Sequence, residues 1–225
     1  TQIHSGFWSE RLAVNAQSAI FHQHEQLEAS GCIHNFRLVT GEAQGFREGW
    51  FFADSDAYKW LDAAACIWRS TRDARLGRLM DEVIQLISRA QAEDGYLYTY
   101  NMLHFPVVRW ENLHIEHELY CHGHLIEAGV SHFQATGRDD LLLVARKAAD
   151  RIVADFRGKG AGHTPGHEEI EIALLRLHSV TPGDELYLEM ARQFLQRRGH
   201  HPFFAISLAA QFVQVARRRL EVRRQ

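Results

Sequence analysis

Between His114 and His124 the sequence His-Ile-Glu-His-Glu-Leu-Tyr-Cys-His-Gly-His gathers groups that can do chemistry. At about 100° per residue, a helix here would carry His114, His117, Cys121 and His124 on one stripe, at i, i+3, i+7 and i+10. Ile115, Leu119, Ile126, Val130 and Phe133 form a second, apolar stripe turned away from the first. One face then suits a packed core, and the imidazole and thiol face suits the wall of a polar cavity. A metal site is the sharp alternative. One helix can supply two ligands at i, i+3 or i, i+4, but four in a row cannot surround a tetrahedral ion. No second His/Cys cluster of comparable spacing exists to complete the shell, so no metal ligand is assigned. The plain alternative is an amphipathic helix with incidental histidines, His117 satisfying a core hydrogen bond.

Two other stretches have a composition suited to binding. Gly31 to Ala53 reads as a long connection containing His34-Asn35-Phe36-Arg37 and Gly49-Trp50-Phe51-Phe52, and a second connection carries Arg109-Trp110-Glu111. Flat rings for the C–H face of a sugar, with Arg and Asn for its hydroxyls, make Trp50 and Trp110 candidate sugar contacts. The same rings could simply anchor loops on the core. In Pro165-Gly166-His167-Glu168-Glu169-Ile170-Glu171, the glutamates are either an acid/base pair or the acidic first turn of a helix, and the dipole favours the second for Glu168 and Glu169. His167, just before that helix, is placed for a pocket. Asp54 is a candidate helix cap and Asp56 a candidate pocket residue.

The elements that must position these groups are helical. Periodicity predicts helices over Leu12–Leu27, Asp56–Trp68, Leu76–Ile87, Ile115–Gln134, Leu141–Phe156, Glu168–His178, Glu185–Gln196 and Phe203–Arg219. Tyr96–Tyr100, after the Asp94-Gly95 turn, is the best extended segment. Three tight turns recur: Ser70-Thr71-Arg72-Asp73, Thr136-Gly137-Arg138-Asp139 and Thr181-Pro182-Gly183-Asp184, each followed by leucines. Such turns make antiparallel helix hairpins, and repeated hairpins bury one another's faces in a toroid or solenoid. With 225 residues, 46% hydrophobic and 24% charged, and a net charge of -3, the chain reads as a globular domain with no basic surface for nucleic acid or anionic membrane. No apolar run is long enough to span a bilayer. Cys32, Cys66 and Cys121 are odd in number and widely spaced, which favours free thiols in a reducing compartment. With no leader peptide visible, although an initiator Met is missing too, the expected location is cytoplasmic.

Several segments, in order, resemble one family. Asp54-Ser55-Asp56-Ala57-Tyr58-Lys59-Trp60-Leu61-Asp62-Ala63, Gln91-Ala92-Glu93-Asp94-Gly95-Tyr96-Leu97, His117 through Leu125, and Pro165 through Glu171 look like the N-terminal part of glycoside hydrolase family 127, the β-L-arabinofuranosidases. Phe7-Trp8-Ser9-Glu10-Arg11 and Ile33-His34-Asn35-Phe36 match as well. The resemblance implies part of an (α/α)6 barrel and retaining hydrolysis of β-L-arabinofuranosyl linkages. It also implies, for the full-length family, a zinc-bound cysteine nucleophile and a glutamate acid/base. On this resemblance His124 and His167 correspond to substrate-contacting histidines, whose side chains would hydrogen-bond arabinose hydroxyls.

The departures set the remaining expectations. In the family, the nucleophile, zinc ligands and acid/base lie in the later half of the barrel, and Cys32, Cys66 and Cys121 match none of them. No residue is therefore assigned as catalytic and no cofactor to this chain, which reads as a truncated family member, inactive alone. The resemblance runs to Gly199, giving a partial barrel over 1–199 and a divergent Arg-rich helix or tail over 200–225. The expected ligand is an arabinose-containing, plant-type oligosaccharide contacted by His124, His167, Asp56, Trp50 and Trp110. An incomplete barrel would leave apolar faces for self-association. Two other readings remain: a sugar isomerase or epimerase using histidines as acid and base, or a non-catalytic sugar-binding remnant.

Overall fold

The computed structural model describes Ile3 and residues 5–224. Among these residues the chain is all helix, with no strand. The helices are α1 (Phe7–Val14), α2 (Ile20–Ala29), α3 (Cys32–Thr40), α4 (Asp54–Thr71), α5 (Ala74–Ala90), α6 (Thr99–His104), α7 (Glu118–Thr136), α8 (Asp140–Phe156), α9 (Glu169–Val180), α10 (Glu185–Arg197) and α11 (Phe204–Val222). A π-helical segment, Asn15–Ala19, joins α1 to α2 without a break, so the predicted first helix begins earlier and carries a bulge.

The three predicted turns do connect α4–α5, α7–α8 and α9–α10. Their common device is the threonine rather than the aspartate. Thr71, Thr136 and Thr181 each donate Oγ1 to the carbonyl four residues back, at 3.0, 2.7 and 2.8 Å, turning the side chain back onto the last turn of its helix. A left-handed residue follows in each: Arg72, Gly137 and Gly183. Of the aspartates only Asp73 caps, accepting the Leu76 amide at 2.9 Å.

Helix α7 is the hub. It is buried nearly all round and packs on α4, α8 and α9, while α10 packs on α9. A helix covered on several sides needs small residues where neighbours approach. Gly129 is such a place, for a Cβ there would lie 2.6 Å from Ala145 Cβ on α8. Two apolar cores meet along α7. One holds Phe36, Tyr58, Trp60, Leu76 and Ile87 from α3–α5, and the other holds Ile152, Phe156, Leu174, Tyr187 and Phe194 from α8–α10.

Three elements differ from the sequence reading. The long connection after Gly31 contains α3, whose Cys32, Ile33, Asn35 and Phe36 are buried. Tyr96–Tyr98 forms no strand, the Leu97 amide going to His122 Nε2 at 3.4 Å, and Thr99 and Tyr100 begin α6. The reason is Asp54, the buried first residue of α4. It caps nothing at its own helix and instead accepts the Thr99 amide and hydroxyl at 2.7 and 2.5 Å, starting α6 there. Third, α7 starts at Glu118, not Ile115.

The last helix is tied to the same body. Gln211 accepts the His114 amide at 3.0 Å, and buried Arg218 pairs with Glu116 at 2.6 Å and Glu111 at 2.7 Å.

Candidate functional site

The imidazole stripe is broken at its root. His117 immediately precedes α7 with φ 59°, a left-handed conformation uncommon outside glycine, and His114 lies in the turn before it. His114 therefore points elsewhere, its ring packing on His201 and Phe204. Cys121 is buried, with Sγ 3.8 Å from the Phe52 carbonyl. The four-residue face predicted from regular helix geometry does not form, because the helix does not extend through it.

A different cluster forms instead. The left-handed turn at His117 lets its Nε2 meet Nε2 of His167, in the segment that enters α9, at 2.6 Å. Its Nδ1 is held by the Ile115 carbonyl at 2.5 Å, which fixes Nδ1 as the donor and leaves Nε2 for ligands. Tyr120 packs edge-on to His117 and His124 and lies 5.0 Å from His167, so one phenol ring touches three imidazoles. Lys59 of α4 stands 4.9 Å over that ring and reaches Asp56 at 3.5 Å. On the other flank Phe51 and Phe52 pack on His117, and the exposed Trp50 stacks parallel to Phe52.

Behind this layer sits His124. Its Nδ1 is 3.2 Å from Glu169 Oε1, and its Nε2 is buried without a hydrogen-bond partner. Burial, with Lys59 and His167 adding positive charge, pushes its pKa down to about 4, so it is neutral at physiological pH. Glu169 goes the other way. Burial and the adjacent Glu127 carboxylate raise it to about 7. The close pair is thus a neutral imidazole beside a reluctant acid, rather than an ordinary salt bridge. The His117 pKa is lowered by burial despite its carbonyl contact.

Of the five predicted sugar contacts, the structure brings His167, His124, Asp56 and Trp50 to this cluster, with Asp56 and Trp50 at its rim. Trp110 lies apart. Its indole N–H donates to Asp155 at 2.7 Å, its backbone amide donates to Glu118 at 2.7 Å, and its ring packs on Tyr96, His122 and Phe156. Tyr120, Lys59 and Glu127 are additions to the sequence reading, which had His117 on the imidazole stripe. Glu168 is exposed and pairs with Arg198, as a first-turn acid would. Glu169 shares that turn but is drawn inward.

Among the described residues, none of the three cysteines lies in a grouping with metal-ligating geometry. Cys32 accepts from Ser30, Cys66 is exposed on α4 and Cys121 is sealed under Phe52. Among the described residues, the two groupings with metal-ligating geometry are Asp81/His132/Asp140 and His124/Glu127/Glu169, and neither contains a cysteine.

Helical hairpins packed round α7, with His117, His124, His167, Tyr120 and Glu169 brought together beside it, make an all-helical domain. The sequence signature described as "Beta-L-arabinofuranosidase, GH127 catalytic domain" matches residues 2–224, and the chain belongs to this family. It is 39% identical over 189 residues to a non-reducing end β-L-arabinofuranosidase of Bifidobacterium longum subsp. longum, covering 80% of this chain and 28% of that protein. Among solved structures it is similar to Ara127N, a GH127 β-L-arabinofuranosidase from Geobacillus stearothermophilus T6. There the TM-score is 0.87 and the identity 40%, over 96% of this chain and 35% of the other. It is also similar to the GH127 β-arabinofuranosidase BT3674, with a TM-score of 0.80 and 31% identity, over 88% of this chain and 33% of the other. The chain thus spans about a third or less of the length of these relatives.

Proposed function

We propose that this chain provides the imidazole-lined part of a sugar site in a retaining β-L-arabinofuranosidase, contributing binding and orientation rather than the bond-breaking groups. The observation that carries the reading is the convergence of His117 and His167 Nε2, backed by Tyr120 and rimmed by Trp50 and Asp56. The two ring nitrogens bond to each other at 2.6 Å, and a sugar hydroxyl that replaced that bond as the rings part would find an acceptor in His117 Nε2 and a donor in His167 Nε2. The nearby rings give the C–H face of a furanose an apolar wall. The ligand is an arabinose-containing oligosaccharide. A histidine pair also suits proton shuttling in an isomerase, but family membership favours the hydrolase.

Exposed apolar side chains on α1 (Phe7, Trp8, Leu12) and α11 (Phe204, Ile206, Phe212) support association through these faces. Three free cysteines support a reducing, cytoplasmic setting. No helix of the described residues is long and apolar enough to cross a membrane.

The test is L-arabinose titration followed by NMR, alongside an assay with a chromogenic β-L-arabinofuranoside with and without zinc. Weak binding abolished by His117→Ala or His167→Ala, with no turnover, is expected. Binding that both variants retain sinks the site, and turnover lost in Cys121→Ala would make that buried thiol the nucleophile.

A further inference from the structure

At the end of α7 away from the sugar cluster, side chains from three helices come together. His132 lies near the end of α7, Asp81 near the middle of α5 and Asp140 at the start of α8. A ring nitrogen of His132 and a carboxylate oxygen from each aspartate all lie within 4.8 Å of one another. His132 Nδ1 is 3.3 Å from Asp140 Oδ1. His132 stands about two turns beyond His124, roughly 12 Å along the helix axis, so the two clusters are separate.

The histidine is the unusual member. Its side chain is 1% exposed, yet neither ring nitrogen has a hydrogen-bond partner. Buried polar groups are almost always paired, so a bare imidazole facing two carboxylates points to something that fills the space between them. The aspartates are more open and share Arg138, whose guanidinium donates to Asp81 at 2.7 Å and to Asp140. That arrangement sets one positive charge against two negative ones and leaves the imidazole unbonded. Arg138 is itself half-exposed, and ion pairs as open as these are worth little, so its head group can move into water. Asp140, Arg138 and Asp81 are the charged groups that act on the ring. Burial lowers the His132 pKa, which keeps a ring lone pair available at neutral pH.

We infer that His132, Asp81 and Asp140 form a binding site for a divalent transition metal ion such as zinc, which enters by displacing the Arg138 guanidinium. One imidazole and two carboxylates are three ligands for a tetrahedral ion, with water as the fourth. The imidazole favours such an ion over magnesium or calcium, which take oxygen ligands. Its two charges balance the two carboxylates, as Arg138 alone does not. The role is structural, because the ion clamps α5, α7 and α8 together at the α7–α8 turn. The site holds no thiolate and is independent of the sugar-site reading.

The experiment is calorimetric titration of the chelator-treated chain with zinc, alongside thermal melts and NMR of the histidine ring nitrogens. Zinc should shift the His132 ring nitrogens and raise Tm. Arg138→Ala, which removes the competing cation, should bind zinc more tightly. His132→Gln and Asp81→Asn should each weaken binding by more than the roughly 10–100-fold that loss of an outer-shell partner costs. If buried His132→Gln fails to fold, Asp81→Asn, at a more open position, decides. Zinc that leaves the His132 nitrogens of the wild type unmoved, whether or not it shifts His117, His124 or His167, overturns the inference. So does Asp81→Asn binding zinc at His132 as tightly as the wild type, and an Arg138→Ala variant that binds no more tightly refutes the displacement.

Discussion

Substituting Gly129 and Gly123 by alanine places the same methyl group on the same helix against two different obstacles. Inside a helix, Ala is favoured over Gly by about 1 kcal/mol, so on propensity alone both variants should be more stable. At Gly129 the new Cβ would lie 2.6 Å from Ala145 Cβ and 3.0 Å from the Leu141 carbonyl oxygen, neither of which can rotate away. The α7–α8 pair must then separate, and overpacking of this kind costs about 1–3 kcal/mol. The net expectation for Gly129→Ala is a loss of up to about 2 kcal/mol. In a chain of this size that lowers Tm by up to about 8 °C. At Gly123 the obstacle is the Glu169 side chain, which can swing out. Gly123→Ala should therefore keep more of its stability but lose the Glu169–His124 contact. Thermal melts of both variants, with the His124 ring nitrogens followed by NMR, separate the two effects. A Gly129→Ala protein that melts higher than the wild type would refute the close helix packing on which the hub depends.

Two further expectations concern the buried polar network. His122 is fully buried and neutral, its Nδ1 donating to the Glu118 carbonyl at 2.8 Å and its Nε2 accepting the Leu97 amide at 3.4 Å. Burial lowers its pKa to about 4, so between pH 6.5 and 4 the unfolded chain binds a proton that the folded one refuses. Stability attached to this group is complete above pH 6.5 and falls with pH through that window, by roughly 3 kcal/mol at 1.36 per unit. His122→Gln should flatten that part of a urea-midpoint-versus-pH curve; an unchanged slope would refute the assignment. Arg218→Ala should leave the buried Glu116 carboxylate without its partner and cost about 3–5 kcal/mol, or release α11 to protease, whereas an unchanged urea midpoint with α11 still protected would show the pair to be idle.

Most helices were legible because they bury one continuous apolar face. α5 repeats Leu76, Met80, Val83, Ile84 and Ile87 at the helical interval, and all five are buried. What periodicity could not show was helix started by a partner distant in sequence. α6 begins where Asp54 reaches Thr99 across 45 residues, and Arg47, 3.6 Å from the same carboxylate, lies in a stretch that reads as loop. α3 hid in that stretch because it is short and shows the core only four residues.

The site was legible as composition and illegible as geometry. Counting residue types marked His117 to His124 as a polar wall, since a helix carrying that many imidazoles must pair them or turn them to a cavity. Extending the helix back through His114 put His114 and His117 on one face, and a single left-handed residue takes His114 off it. That residue is a histidine rather than a glycine or asparagine, so no turn signal announced it. The strain at φ 59° persists because Nδ1 is bound to Ile115 and the ring is wedged among Phe51, Phe52, Tyr120 and His167. Backbone strain held by contacts to several separate segments is a reason to look for a ligand where those contacts converge. Here they converge on the Nε2 atoms of His117 and His167.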